Sequence, residues 1–592
     1  MLFSKLSRYL QKIEATDSRL DMTKQLAALF KESEANEIDK ICYLVLGRLV
    51  PKFVGLELQL AEKMMVRVIA QVVKTSEKRV NDVFKNTGDL GEVFYTFAKQ
   101  NPDLVTNKNL SISNVYERLV AIAKQAGIGS QERKVQGMVN LLQSVSSLGG
   151  KYLVRIPLQK LRLGFSDMTI LDALSWMETG DKSLRAELEH AFNIRADIGQ
   201  IARLLKEKGL KTLKGLTPET GTPIRPALST PLLSKEEILE RMDDSTFLEP
   251  KFDGFRVQVH IDKSKVSDEV EEETPALFEE TKKAFVRIFS RNLDSTTHMF
   301  PDLVAAAQDL PVNSAILDGE AVAVDPSTGK LLDFQETVKR KRKHNIDQVK
   351  EEIPLQVFTF DILYLNGVSL VNTSQKDRRT FLEKVFKKVR KDSPFVLTEQ
   401  RLVSDPDSFE DFFTEVAKEG LEGLMAKKVE APYRAGKRDF TWVKYKVAMQ
   451  SELADTVDAV VMGYFKGEGK WAKLGLGKVL VGIPHDGKIY SLSKVGSGFS
   501  EEKLKEMLKR CEVSKVKKMP KNYVADKTLI PDVWVKPEIL IEIRADSISR
   551  SPIHETGLSL RFPRFIKFRD DKDVTEATTL EQVKQLAGSQ KE

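Results

Sequence analysis

The stretch "FLEPKFDGFRVQVH", Phe247 to His260, decides how the chain is read. Its continuation "VQVHI" (257–261) is rich in β-branched residues and reads as a strand. Asp253-Gly254 just before it is a turn signal, with glycine supplying the φ > 0 that other residues resist. Lys251 and Arg256 then flank one turn and can project into a common space. A surface hairpin carrying two solvated cations also accounts for the stretch. The rest of the chain has to decide.

At 592 residues the chain is too long for one core, and its length suggests about three or four domains. It is 41% hydrophobic and 30% charged, an ordinary globular composition. The net charge of +7, with an isoelectric point near 8.9, permits a polyanionic partner without demanding one. Cys42 and Cys511 stand far apart with no CxxC, which argues against a disulfide framework and a cysteine zinc site. The six histidines show no ligand spacing. The opening "MLFSKLSRYLQKIEATDSRL" mixes charges into a helical period and is no signal peptide. No run of about 18 uncharged apolar residues exists to span a membrane. The reading is cytoplasmic by default.

Residues 1 to about 215 read as almost wholly helical. Met22, Leu26, Leu29 and Phe30 fall at helical spacing, and "NVYERLVAIAKQAG" ends a helix at Gly127. "KYLVRIPL" (151–158) is the main strand-like exception. "GLTPETGTPIRPALSTPLLS" then has linker composition, and Ser234 to Glu237 form a capping box opening the next domain. From 235 to 446, β-branched runs alternate with helices, as in a mixed α/β domain. Within it, the acidic stretch 262–284 reads as a solvated loop or protruding hairpin. From 447 onward, short strands separated by Gly-rich turns fit a small β-barrel. Thr579 to Gln582 cap a last helix.

Six stretches place cations and carboxylates at strand ends beside glycine: "KFDGFR" (251–256), "FSRN" (289–292), "LDGE" (317–320), "FTFDILYLNG" (358–367), "EGLMAK" (422–427) and "WVKYK" (442–446). A seventh, "RFPRFIKFRDDK" (561–572), lies near the end. Together they could line one cleft with several Lys/Arg and at least two carboxylates. Phosphoryl or nucleotidyl transfer needs that set, with cations to neutralise phosphate oxygens and carboxylates to hold Mg²⁺.

In this order the motifs resemble those of covalent nucleotidyltransferases. With the helical N-terminal region and the seventh stretch, the chain resembles ATP-dependent DNA ligases of the archaeal and eukaryotic replicative type over nearly its whole length. The resemblance implies a multidomain fold. An all-α DNA-binding domain would occupy 1–215 and a linker 216–234. An α/β (ATP-grasp-like) adenylation domain would span 235–446, and a β-barrel OB-fold domain 447–592. It implies a monomeric, DNA-associated enzyme that seals nicks in double-stranded DNA, in replication, repair and recombination. ATP and Mg²⁺ are the implied cofactors, with Mn²⁺ as an alternative metal. A lysine amine is a nucleophile only when neutral, and its ordinary pKa is about 10.4. Arg256, Lys444, Lys446 and a bound metal would favour the neutral form of Lys251. Lys251 would then attack the α-phosphorus of ATP to give lysyl-AMP. AMP would pass to the nick 5′-phosphate, and the 3′-hydroxyl would displace it.

Further roles follow from the matched positions. Glu249 would hold adenine and Phe360 stack on it, while Asp361 supports the fold. Arg256 and Arg291 would contact ribose, phosphates or the nick 5′-phosphate. Glu320 would bind ribose or a metal, and Glu422 is the other metal candidate. Lys427 is implied as a phosphate contact, Arg438 as a nucleotide contact, and Lys444 with Lys446 at the α-phosphate. Arg564, Lys567, Arg569 and Lys572 would reach the pyrophosphate, with Asp570 and Asp571 as turn or salt-bridge residues. Phe360 and Trp442 read equally as core aromatics. "KRKRKH" (339–344) is either a solvated run or a DNA-facing patch. In "LGGKYLVRIPLQKLRLGFSD" (148–167), Lys151, Arg155, Lys160 and Arg162 would meet phosphates, with Gly149 and Gly150 letting backbone approach. Helix-surface cations around a turn are the other reading there. No sliding-clamp peptide stands out, so clamp binding stays open. An RNA ligase or capping guanylyltransferase shares the lysine motif, but the helical region argues against both. The absence of a four-cysteine module disfavours an NAD-dependent ligase. A non-catalytic DNA-binding protein would not need Lys251, Glu320 and Glu422 together.

Overall fold

The computed structural model describes residues 1–106, 108–266, 284–340, 350–447, 456–467 and 475–588. Most of the acidic stretch 262–284 and the basic run beyond Arg340 lie outside them. The chain divides into two units. One comprises Met1–Pro231, Ile238–Asp411 and Met425–Lys444, the other Leu232–Glu237, Phe412–Leu424 and Tyr445–Glu592. Among the described residues no helix is long and apolar enough to cross a membrane.

The first unit begins with a helical region running from Phe3–Glu14 to Ile198–Lys214. Its helices are opened by side chains that accept first-turn N–H groups, among them Ser18, Ser76, Asp89, Ser146 and Asp197. They share one core containing Leu6, Phe30, Phe94, Leu142, Tyr152 and Ile170. The strand expected at 151–158 is instead largely part of the helix Ser147–Arg155. Every residue from Gly149 to Arg155 is buried, the cations Lys151 and Arg155 included. Gly149 and Gly150 are both buried, and Gly150 serves packing. A Cβ on Gly150 would lie 2.0 Å from Phe94 Cε1, and one on Gly91 of the neighbouring helix 2.5 Å from the Lys151 carbonyl oxygen.

Two sheets follow. The first orders its strands Leu228–Pro231, Arg438–Lys446, Gly423–Lys428, Thr246–Lys251 and Arg401–Val403. The second orders Ala284–Ser290, Phe255–Val266, Ser314–Ala323, Leu355–Leu365 and Val368–Ser369, with Phe395–Leu397 running parallel to Leu355–Leu365. Lys251 therefore ends a strand of one sheet and Arg256 sits near the start of a strand of the other. The surface hairpin is excluded, because the flanking strands do not pair. Gly254 does not carry the positive φ expected of it. It is needed because a Cβ there would lie 2.3 Å from the Ala321 carbonyl oxygen.

The second unit is an OB-like β domain. Val457–Phe465 pairs with Lys478–His485, which pairs with Lys488–Val495, while Leu540–Arg544 joins Val457–Phe465 to Arg564–Phe568. The described strands trace a half-barrel around Val461, Val481, Leu492 and Ile541, with the helix Glu501–Val513 beside them. Thr579 and Gln582 form the expected capping box, each bonding the other's backbone N–H.

Gly150→Ala is expected to destabilise the helical region by about 1–3 kcal/mol through overpacking against Phe94. Thermal unfolding followed by far-UV circular dichroism should show a lower midpoint, and an unchanged midpoint would contradict this packing.

Candidate active site

The sheet crossing fixes Lys251. Phe252, next in the chain, is buried and stacks on Phe358 with ring centroids 3.9 Å apart, while Gly254 lies against Ala321. The half-buried Lys251 is thus held from its C-terminal side by two strands of the second sheet.

Two residues back, Glu249 is 2% exposed. Its Oε2 lies 2.7 Å from Lys427 Nζ, and its Oε1 accepts from Gln400 Nε2 at 2.7 Å. Lys427, 1% exposed, also donates to the Phe360 carbonyl oxygen at 3.2 Å. Its ammonium sits 4.7 Å from the centre of the Phe360 ring and 4.5 Å from that of Trp442. The expected phosphate contact is therefore a buried lysine paired with the expected adenine contact.

Arg256 is engaged as fully. Its Nε and Nη2 donate to the two oxygens of Asp318 at 2.9 and 2.6 Å, Nη1 to the Ala227 carbonyl oxygen at 2.7 Å, and Nη2 to the Tyr433 hydroxyl at 3.1 Å. Burial works against its charge, but Asp318 outweighs burial and holds the guanidinium protonated above its ordinary range. Burial first and Asp318 second raise the Tyr433 phenol, which remains a neutral donor to Asp318 at 3.0 Å. The guanidinium also lies 5.5 Å from the Phe360 ring centre and 5.2 Å from that of Trp442. Phe360 and Trp442 meet edge to face at 5.9 Å. Trp442 and Tyr433 belong to a buried apolar cluster, and Phe360 packs against it half-exposed, so Phe360 is both core and site wall.

Asp318 and Glu320 project from one face of their strand, and Glu320 stands opposite Arg256 in the ladder. Arg256 and Tyr433 both bond the Asp318 carboxylate. Among the described residues no three His, Cys, Asp or Glu gather as a cage. One or two carboxylates suit Mg²⁺, which takes its remaining ligands from waters and substrate phosphates. Arg438 donates to the Ser229 carbonyl oxygen at 2.7 Å, and Lys444 pairs in register with Pro231. The exposed Arg291 lines a cavity of about 440 Å³ with Arg48, Lys52 and Arg225. Asp361 pairs with Arg378, both fully buried, as expected of a residue that supports the fold.

In the second unit Glu422 pairs with Lys446. Arg569 and Lys572 are tied to Asp458 at 2.9 and 2.7 Å, Lys567 lies 3.4 Å from Glu542, and Arg564 lies 3.0 Å from Asp546. Asp570 pairs with Arg510 and Asp571 with Arg569, whose hydrogen bond lowers the Asp571 pKa to about 2.

Three sequence readings change. Arg155 is buried and binds Glu14 at 2.9 Å and Asp89 at 2.5 Å, while Lys151 binds Glu14 and Glu92 at 3.2 and 2.7 Å. Both are structural cations of the helical region. Lys160 pairs with Glu62, and Arg162 lies beside Asp89. Arg340, at the head of the basic run, is buried against Asp302 at 2.6 Å and does not face solvent. The motifs also passed over Gln400 and Asp318's partner Tyr433, and gave no role to Phe252 within "KFDGFR". Gln400 lies outside every motif and had no sequence signal.

Residues 2–175 match the model of the DNA ligase N terminus, 276–446 that of the ATP dependent DNA ligase domain, and 472–572 that of the ATP dependent DNA ligase C terminal region. A relative from Dictyoglomus turgidum named "Probable DNA ligase" is 40% identical, covering 100% of this chain and 98% of its own. One from Sulfurisphaera tokodaii named "DNA ligase" is 36% identical, covering 99% and 97%. The solved structure Pmar-Lig_PreS3 has a TM-score of 0.54 at 19% identity over 95% of this chain and 99% of its own, a likeness of fold. Helical, α/β nucleotidyltransferase and OB-like parts in one chain define a multidomain nucleotidyltransferase. The chain belongs to the ATP-dependent DNA ligases, enzymes that use ATP to form phosphodiester bonds at nicks in DNA, in replication and repair.

Asp318→Asn removes the charge facing a buried guanidinium and is expected to cost about 3–5 kcal/mol. Denaturant unfolding should show a clearly lower midpoint, and a shift of only a few tenths of a kcal/mol would contradict the pairing.

Proposed function

We propose that Lys251 is the nucleotide acceptor of this ligase. The observation that carries the reading is its position at the sheet crossing, two residues from the buried carboxylate Glu249, whose partner Lys427 lies against the Phe360 and Trp442 rings. The neutral Nζ of Lys251 attacks the α-phosphorus of ATP. An N–P bond forms, the α–β phosphoanhydride breaks, pyrophosphate leaves and the amine proton passes to solvent. Glu249 accepts from the adenine amine and Phe360 faces the base. Lys427 acts through Glu249, whose Oε2 it holds. Arg256, Arg438, Lys444 and Lys446 supply positive charge to the ribose-phosphate, and Arg291 does so to the nick 5′-phosphate. Glu320, and Glu422 on the resemblance alone, are the carboxylates offered to Mg²⁺, which when bound neutralises phosphate charge. Arg564, Lys567, Arg569 and Lys572 serve the pyrophosphate. AMP then passes to the nick 5′-phosphate, and the 3′-hydroxyl displaces it.

In this reading the DNA-binding, adenylation and OB-fold domains divide at 1–215, 235–446 and 447–592, the last as an OB barrel. The enzyme works as a monomer in the cytoplasm, and Mn²⁺ can replace Mg²⁺.

Lys251→Ala should form no enzyme–AMP from labelled ATP and seal no ordinary nick, yet still seal a nick whose 5′ end is already adenylated. Gel analysis of both substrates checks this. Retained labelling from ATP in the folded variant would overturn the assignment.

A further inference from the structure

We propose that Gln400 is a positioning residue that sets the base selectivity of the nucleotide donor. The inference rests on the reading that Glu249 meets the adenine. Thr246, Phe247 and Leu248 pair with Val403, Leu402 and Arg401, so the next step of this antiparallel register sets Gln400 opposite Glu249. Gln400 Nε2 donates to Glu249 Oε1 at 2.7 Å, while Lys427 Nζ holds Oε2 from the other side at 2.7 Å. The carboxylate is thus fixed at both oxygens, on opposite flanks of its strand.

Lys427 alone would leave that carboxylate free to turn, because the terminal torsion of a glutamate is broad. An ammonium is a point charge with rotatable donors and does not define a plane. A second donor on the other oxygen does. Only the amide nitrogen of Gln400 can face a carboxylate, so the orientation of its side chain is fixed in turn. The backbone that carries it is anchored as well. Thr398 donates its N–H to the Thr359 carbonyl oxygen at 3.0 Å, and its own carbonyl oxygen accepts from Arg379 Nη1 at 2.8 Å. Gln400 thus lies two residues beyond Thr398, which is tied to the strand that carries Phe360.

Each carboxylate oxygen has about two lone-pair sites, so one partner on each leaves acceptor capacity in a defined direction. Adenine carries an amine at position 6, a donor, and guanine an oxygen there, an acceptor. A carboxylate of fixed plane meets the first and repels the second. One that turns loses part of that discrimination. Gln400 touches no reacting atom in this scheme and acts through Glu249.

The test measures enzyme–nucleotide adduct formation against ATP and GTP concentration in the full-length protein, for the unaltered chain, Gln400→Met and Glu249→Gln. Gln400→Met keeps the length and removes the donor. It is expected to raise the apparent dissociation constant for ATP and reduce the preference for ATP over GTP by roughly tenfold, with the limiting rate on ATP preserved. A defect confined to folding would lower the active fraction with both nucleotides alike and leave their ratio unmoved. If Gln400→Met does not fold, Gln400→Asn, which keeps the amide but not its reach, carries the same expectation. An unchanged preference in the Gln400 variant, beside a lost preference in Glu249→Gln, overturns the positioning role and leaves the adenine reading standing. An unchanged preference in both overturns the two together.

Discussion

Everything about the site depends on one constraint: between Lys251 and Phe255 the chain leaves one sheet and enters another. A strand fixes its last residue from the ladder behind it, and the next strand fixes its first residue from the ladder ahead. The three residues between have little freedom. Phe252 is clamped on Phe358, and Gly254 lies against the Ala321 carbonyl where no side chain fits. The amine of Lys251 therefore leaves the backbone from a seam whose two sides are each built by long-range pairing. An exposed hairpin could not hold it so.

The seam is lined with buried charge. Lys427, paired with Glu249, and Arg256, paired with Asp318 and Tyr433, both lie against the Phe360–Trp442 pair. Such pairs give little net stability, because taking ions out of water costs nearly what their attraction returns. Their value lies in geometry. Each charged group is held by two or more partners, so the surfaces that face a nucleotide are presented in one arrangement before it arrives.

The sequence made the chemistry legible because the chemistry is local. A lysine, a D-G pair, a D-G-E and two lysine-bearing strands each fit in a few residues, and their order was enough to give the family. What depended on packing was not legible. The helix Ser147–Arg155, buried from Gly149 onward, reads as a strand because "YLVRI" sets apolar and β-branched residues almost side by side. Lys151 and Arg155 look like DNA contacts until Glu14, Asp89 and Glu92, brought from other helices, are seen around them. Lys427 follows the same rule, since nothing in "EGLMAK" says that its ammonium turns inward. Gly254 was recognised, but for the wrong cause: a close approach of backbone, not a left-handed turn, excludes a side chain there. Gln400 comes from the short connection just ahead of the three-residue strand Arg401–Val403, and no pattern marks it.

The central claim is that the nucleotide is carried on the residue at the sheet crossing. Fragmentation mass spectrometry of the protein after incubation with ATP and a divalent metal tests it most directly, by locating the AMP along the chain. The account predicts AMP on Lys251 as an acid-labile phosphoramidate. AMP on any other residue, or an acid-stable ester, would contradict it.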